Sequence, residues 1–390
     1  MITRPQSRPA LARLAVLALP LIAALTLSGP AEAELRQTET GPVNISPVVT
    51  GLDGPWSVGF LPGPAGRWQG ELLITEIGGA LLYVGPDGQR RPLSGVPRVA
   101  RSGQGGLLDV LVPSDFARSN EIYLTYARPQ RGGSGTALAR ARLSADRMSL
   151  TDVQTIWELE PGSSGGRHFG SRVVEGADGF LYVTIGDRGD RPSAQDLANE
   201  NGTVVRLARD GSIPPDNPLV GRAGARPEIW TWGHRNPQGM AVDGRGQLWT
   251  VEHGARGGDE INRIRRSTNY GWPVISYGRH YSGARIGEGT EREGLAQPAF
   301  YWDPSIAPSG MTFVTGGEFG NWRGDALVGS LKFDLISRLD VRGNRMVEVE
   351  RIETPETARV RDVRMGPDGA VWFLSEGNGT LYRMTPAQQG

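Results

Sequence analysis

Apolar residues along this chain come in short runs, each cut off by a polar turn. The clearest copies are VVEGADGFLYVTIGDRG (173–189), MAVDGRGQLWTVEHGARG (240–257) and VRMGPDGAVWFLSEGNG (363–379). Each reads as an apolar strand, a turn rich in Gly and Asp, a second apolar strand and a polar loop. Asp-Gly and Arg-Gly at the turns supply hairpin chemistry. Looser copies occupy 58–79, 109–128 and 312–333, which makes six. No amphipathic helical stretch of any length interrupts them. Spread over the 357 residues after position 33, the repeat has about 60 residues per unit. An all-β fold is predicted, a six-bladed β-propeller of four-stranded antiparallel blades. Two stacked β-sandwiches are the alternative, and the even repetition disfavours them.

The repeat also sorts residues by face. In an up-and-down sheet, the loop entering the first strand and the loop between second and third strands lie at the same end. Gln104, His168, Arg235, Asn236, Ser309, Arg359 and Arg361 fall at entries to first strands. Glu76, Asp187, the segment 252–260 and Lys332 fall between second and third strands. The chemically capable residues therefore share one face, around the channel mouth. Loops from all blades converge there, which is where a propeller binds a ligand.

The ends and the composition refine this picture. Arg4, Arg8 and Arg13 precede the apolar run LAVLALPLIAALTL, which ends in AEA. The run is short for a bilayer span. Residues 1–33 are expected to be a secretory signal peptide, leaving 34–390 as one propeller domain, periplasmic or secreted. No second run of spanning length follows, so no membrane insertion is expected. There is no cysteine, so no disulfide framework supports the exported chain, and stability must come from a large core or bound metal. Without the leader, 39 basic and 41 acidic residues remain. That balance gives no reason to expect nucleic acid or an anionic membrane as partner. The 56 glycines and 28 prolines suit many short strands joined by tight turns. Of the 42 Lys and Arg residues, Lys332 is the only lysine.

Several of the mouth residues suggest chemistry. A neutral imidazole at His168 could act as general base near neutral pH, or serve as a structural hydrogen-bonder. Arg359 and Arg361 alternate, so on a strand they point to the same side. Two such cations repel unless an anion lies between them. With Lys332 they make the mouth cationic, which points to a carboxylate or phosphate ligand held by arginines. The alternative is pairing with a neighbour such as Asp334 or Asp362. EHGARGGDEIN (252–262) combines carboxylates with free carbonyls, which is what a hard cation such as Ca²⁺ prefers.

Longer stretches carry a resemblance. GHRNPQGM, EHGARGGDEIN, NYGWP (269–273), GTVVRLARDGSIPPDNP (202–218), PSIAPSGMTF (304–313) and RDVRMGPDG (361–369) resemble the soluble PQQ-dependent glucose/sorbosone dehydrogenases, most of all their bacterial aldose sugar dehydrogenase branch. The likeness runs in order over essentially the whole chain after the leader. It implies a propeller that binds pyrroloquinoline quinone (PQQ) and Ca²⁺ at the channel mouth and oxidises aldose sugars at C1 to lactones. His168 would be the general base, and Arg235 with Ca²⁺ would polarise the quinone C5 carbonyl. Gln104, Asn236 and Tyr281 would contact the cofactor, and Lys332, Arg359 and Arg361 would hold its carboxylates. The carbonyls of Gly254 and Ala255 would ligate the catalytic Ca²⁺. Glu260 and the Tyr270 carbonyl would ligate a second, structural one. The sequence departs from the family pattern at Arg167, where an acidic residue precedes the base, and at Ala255, where proline is usual. Long dimerisation insertions are not evident, so a monomer is expected; the electron acceptor is not indicated. A Ca²⁺-dependent lactonase and a non-catalytic sugar-binding propeller are the competing classes.

Overall fold

The computed structural model describes residues 1–2, 33–63 and 66–387. The expected leader, residues 1–33, lies almost wholly outside the described residues. From Ala33 onward the regular secondary structure of the described residues is nearly all strand, and it forms the six-bladed propeller expected from the repeats.

Blade 1 runs from Pro55–Pro62 to Arg90–Pro92, blade 2 from Leu107–Leu111 to Leu150–Glu158, and blade 3 from Val173–Glu175 to Ile229–Trp232. Blade 4 runs from Pro237–Val242 to Phe300–Trp302, and blade 5 from Pro308–Phe313 to Arg345–Glu353. Each is an antiparallel sheet of four strands in chain order, with the first strand innermost; Thr268–Asn269 adds a short parallel edge to blade 3. Blade 6 closes the ring. Its three C-terminal strands, Val360–Met365, Val371–Ser375 and Thr380–Pro386, are completed by Gly41–Val49 from the other end of the chain, with Glu34–Thr38 outside it. This clasp removes an open sheet edge from the ring.

The hydrophobic pattern follows from this stacking. A second strand has its own blade on both edges and a neighbouring blade on each face, so it is buried throughout. Leu181–Ile185 and Val371–Ser375 have no exposed position, hence their unbroken apolar runs. Outer strands alternate instead, as Arg345–Glu353 does. The six largest apolar clusters of the core accordingly lie one in each gap between adjacent blades. Leu61 and Leu73 of blade 1, for example, pack on Val110 and Leu124 of blade 2.

The Gly-Asp turns all lie at one end of the ring. Gly179 and Gly369 both stand at φ +79°, a left-handed conformation that glycine adopts without steric cost. The opposite end carries the longer polar loops. Near the axis, Asp109 Oδ1 accepts from Ser57 Oγ (2.5 Å), Arg172 Nη1 (2.9 Å) and Arg364 Nη2 (2.9 Å). Asp362 pairs with the same two arginines at 3.2 and 3.0 Å. Two acids and two bases thus balance one another and tie blades 1, 2, 3 and 6 together. Removing one member would leave a buried charge unpaired, at a cost of about 3–5 kcal/mol.

Candidate active site

The loops entering first strands meet the loops between second and third strands around one cavity of about 660 Å³. Its walls include Gln104, His168, Arg235, Gly254, Ala255 and Lys332, with Tyr281 standing at the rim, 71 % exposed. A second cavity of about 360 Å³ shares Gln104 and His253 with it and holds Arg359, Arg361 and Glu376. A groove of about 700 Å³ at the turn end, between blades 4 and 5, holds none of these residues.

His168 lies in the loop before the first strand of blade 3, in the left-handed region at φ +54°. Non-glycine residues there carry strain, which neighbours must hold in place. The loop is held from three sides. Gln104 Oε1 accepts from the His168 backbone N–H at 2.7 Å. Arg188 donates to the carbonyls of Gly165 (2.7 Å) and Arg167 (2.5 Å) and stacks on Phe169. Asp187 Oδ1 lies 2.6 Å from His168 Nδ1.

Asp187 is fully buried, and its carboxylate is itself fixed. Oδ1 also accepts from Gly189 N at 2.7 Å, and Oδ2 accepts from Trp272 Nε1 at 2.9 Å. An acceptor at Nδ1 places the ring proton there and leaves Nε2 free. Burial pulls the His168 pKa below its usual value, Arg235 and Arg167 pull the same way, and Asp187 opposes them. The ring is therefore neutral at neutral pH with a basic nitrogen available. Asp187 supplies the orientation that the residue before the histidine, here Arg167, cannot.

Arg235 is the second pole of the site. It is 6 % exposed, yet among the described residues no carboxylate pairs with its guanidinium. Nη1 donates to the His253 carbonyl at 3.2 Å, Nε has no partner, and Trp272 lies 5.4 Å from the charged carbon. Burial lowers its pKa, so the cation is held at an energetic cost. Asn236 beside it is fully buried, with Oδ1 bonded to Gln238 Nε2 and Nδ2 orphaned. Of these two adjacent residues with an unsatisfied buried donor, Arg235 lines the cavity, where it marks a place for an electron-rich ligand.

The cationic cluster is real but partly neutralised. Arg361 donates twice to Glu376 Oε2, at 2.7 and 3.0 Å, and Arg359 reaches Glu376 Oε1 at 3.3 Å. The anion between the two arginines is thus Glu376, neither Asp334 nor Asp362. Asp362 follows Arg361 directly on a strand and faces the opposite side, where it meets Arg364 and Arg172. Asp334 Oδ1 accepts only the Arg359 backbone N–H, at 2.8 Å. Lys332 is exposed, and Nζ donates to the Ser305 carbonyl at 3.2 Å. Three cations against one acid leave a positive excess.

Behind the mouth, Glu260 and Tyr270 lie in a buried cluster. Asn262 Nδ2 donates to Glu252 Oε1 (3.0 Å) and Glu260 Oε2 (3.2 Å), and Asn262 Oδ1 is orphaned. Burial first, then Glu252, pushes the Glu260 carboxyl up to about 8. His234 Nδ1 donates to Glu252 Oε1, 2.8 Å away, and the ring stacks on that of Tyr270.

Known proteins share this architecture. The sequence profile of the family described as Glucose / Sorbosone dehydrogenase matches residues 52–383. The chain belongs to that family. Aldose sugar dehydrogenase YliI of Escherichia coli (strain K12) is 43 % identical over 350 residues, 88 % of this chain and 93 % of that one. The crystal structure of the apo form of the soluble E. coli aldose sugar dehydrogenase superposes with a TM-score of 0.85 at 41 % identity, covering 88 % of this chain and 100 % of that one. Quinoprotein glucose dehydrogenase B of Acinetobacter calcoaceticus is 32 % identical over 235 residues, 53 % of this chain and 48 % of that one. This member of the glucose/sorbosone dehydrogenase family is thus a sugar dehydrogenase, an oxidoreductase.

Within this family member, sequence reasoning singled out Asp187 as a mouth residue but not as the partner of His168, and it missed Glu376 and Trp272. A signal for Glu376 was present. It follows the second strand of blade 6, the repeat position held by Glu76 and Glu252 in blades 1 and 4. Trp272 sits in a long excursion between strands of blade 4, where the repeat gives no register.

Proposed function

We propose that this chain oxidises aldose sugars at the anomeric C1 hydroxyl to the lactone, using PQQ and Ca²⁺. The observation that carries the reading is the pairing across one cavity of a neutral, carboxylate-oriented imidazole, His168, with a buried unpaired cation, Arg235. A relative at 32 % identity is itself called a quinoprotein.

The residues fit a planar tricarboxylate. Lys332, Arg359 and Arg361 offer the positive excess for its carboxylates, Gln104, Asn236 and Tyr281 would position it, and the orphaned donors of Arg235 and Asn236 gain acceptors. The Gly254 and Ala255 carbonyls would hold Ca²⁺ at the mouth. Among the described residues no cluster of three or more His, Asp or Glu side chains is built for a metal, so this site would depend on carbonyls and water, which suits a hard cation. Glu260 and Tyr270 would serve the second Ca²⁺, whose charge would offset the two acids, buried Glu252 and half-buried Glu260.

When bound, PQQ supplies an electron-poor carbonyl as hydride acceptor. His168 Nε2 takes the proton of the anomeric hydroxyl, and Asp187 stabilises the resulting imidazolium. Arg235 places fixed positive charge where negative charge develops on the acceptor. The channel carboxylates Asp109 and Asp362 are already engaged by arginines, which leaves a lactonase without the metal-binding acids it would need. A leader on the first 33 residues would deliver the enzyme to the periplasm or outside the cell. Among the described residues, no helix is long and apolar enough to cross a membrane.

Reconstitution tests the proposal. Purified protein with PQQ and Ca²⁺ is expected to reduce a dye with glucose or another aldose, and His168→Ala to lose at least about 10²-fold in kcat. Failure with every aldose of a panel would reject it.

A further inference from the structure

We propose that an arginine row beside the mouth docks the acidic face of a protein electron carrier, an inference that rests on the dehydrogenase reading. Arg256 pairs with Arg279 in an isolated antiparallel bridge, and Arg279 pairs with Arg285 in another. Residues directly opposite in such bridges carry their side chains on one face, with Cβ atoms about 5 Å apart. Three arginines thus stand side by side, all exposed. None pairs with a carboxylate among the described residues. His280, between Arg279 and Tyr281, instead bonds Arg191 through Nδ1 at 2.8 Å.

Like charges placed opposite one another in a ladder are destabilising, so this row costs stability in the isolated protein. An anionic partner would recover that cost. The extent of the row selects the partner. Arg256 lines the 660 Å³ cavity; Arg279 and Arg285 do not. A sugar-sized anion in the cavity would meet Arg256 alone, whereas the row leads outward from the rim across the surface. Tyr281, 71 % exposed beside it, is the residue type that anchors protein interfaces together with arginine. Asp303 at the same rim is the one nearby exposed acid lining the cavity, and it pairs with none of the three.

The chemistry calls for such a partner. Oxidising one aldose to its lactone releases two electrons and two protons. The protons pass to solvent, and two molecules of a one-electron carrier are each reduced once. A carrier held at the rim is close to the site where the electrons emerge. Opposite charge would raise its association rate, and salt would remove the gain.

The probe pair is basic cytochrome c and its succinylated, acidic derivative, which share one haem. Binding to the full protein and reduction during aldose turnover are measured separately, with neutral benzoquinone as control acceptor. Succinylated cytochrome c is expected to bind and be reduced about tenfold or more better than the native form at low salt. The advantage should vanish near about 0.5 M salt, where the screening length falls below about 5 Å. Arg279→Glu/Arg285→Glu should abolish it and leave benzoquinone turnover unchanged. Equal binding of the two cytochromes, or a preference that survives the double variant, overturns the proposal. So does a double variant that raises KM for glucuronate but leaves succinylated cytochrome c binding intact, since the row would then serve an anionic substrate. If benzoquinone turnover is absent while the charge-selective binding persists, the dehydrogenase reading fails and the docking surface stands.

Discussion

Asp187 Oδ1 lies 2.6 Å from His168 Nδ1, one in the loop that leaves the first hairpin of blade 3 and the other in the loop that enters it. The carboxylate is fully buried and locked by Gly189 and Trp272. It sets the tautomer of the histidine and its readiness to accept a proton.

Asp187→Asn removes the charge but keeps the shape. The free-enzyme base must be neutral to act, and its pKa lies below 6.5 because burial outweighs Asp187. Activity should therefore rise with pH along a limb below pH 6.5 and level off above it. Loss of the negative charge lowers the histidine pKa further, so the limb moves to lower pH. kcat should fall by about 10²–10⁴-fold, as expected for a disoriented, weakened base. A pH profile of kcat/KM on both proteins checks this; an unchanged limb would show that Asp187 does not act on His168.

Gly186→Ala tests how tightly His168 is placed. A Cβ at Gly186 would collide with the carbonyl oxygen of His168 and crowd its Cβ. The loop must then shift by about 1 Å, a misplacement large enough to matter for reactive geometry. We expect kcat to drop by about 10-fold or more, since misplacement of this size disrupts reactive geometry, with little change in melting temperature. A variant with wild-type kcat would mean the loop has slack.

The ring itself was legible because each blade repeats the same apolar runs and turns. The closing clasp was not, since pairing Val43 with Pro386 leaves no local pattern in either strand. Which loops share an end of the ring was readable from repeat position alone, and Arg235, Asn236 and Lys332 lie in the loops which that reading assigned them. Pairings were harder. Adjacent residues such as Arg361 and Asp362 look like partners in a string of letters, yet a strand turns them apart. The true partner, Glu376, arrives across a hairpin 15 residues later.

Lys332→Arg addresses the one lysine in the chain. Its ammonium is exposed and contacts the Ser305 carbonyl and the Phe333 ring. A planar guanidinium is larger and directs its donors in a fixed fork, so it should fit the ligand less well at the cavity wall. PQQ binding, followed by fluorescence titration, should weaken by about 10-fold, a loss comparable to one charge-assisted hydrogen bond. The melting temperature should not change, because the side chain buries nothing. Equal PQQ affinity would reduce the lone lysine to an accident of composition.

Glu200→Gln concerns stability away from the mouth. Glu200 is 2 % exposed, and burial followed by its neighbour Glu228 pushes its carboxyl up to about 8, against a partial pairing with Arg226 at 3.3 Å. In the unfolded chain the same group titrates near about 4.3. The folded state therefore holds the proton more tightly. Its contribution is fully present below the unfolded value, shrinks as pH rises, and is lost once pH passes about 8. Between those limits the wild type should lose on the order of 5 kcal/mol from this site. Glutamine keeps a neutral side chain at every pH and should flatten that decline. Melting temperatures measured from pH 5 to 9 should agree at the acidic end. By the alkaline end the variant should be ahead by at least about 4 °C. Parallel curves would show that Glu200 is ionised in the folded protein throughout.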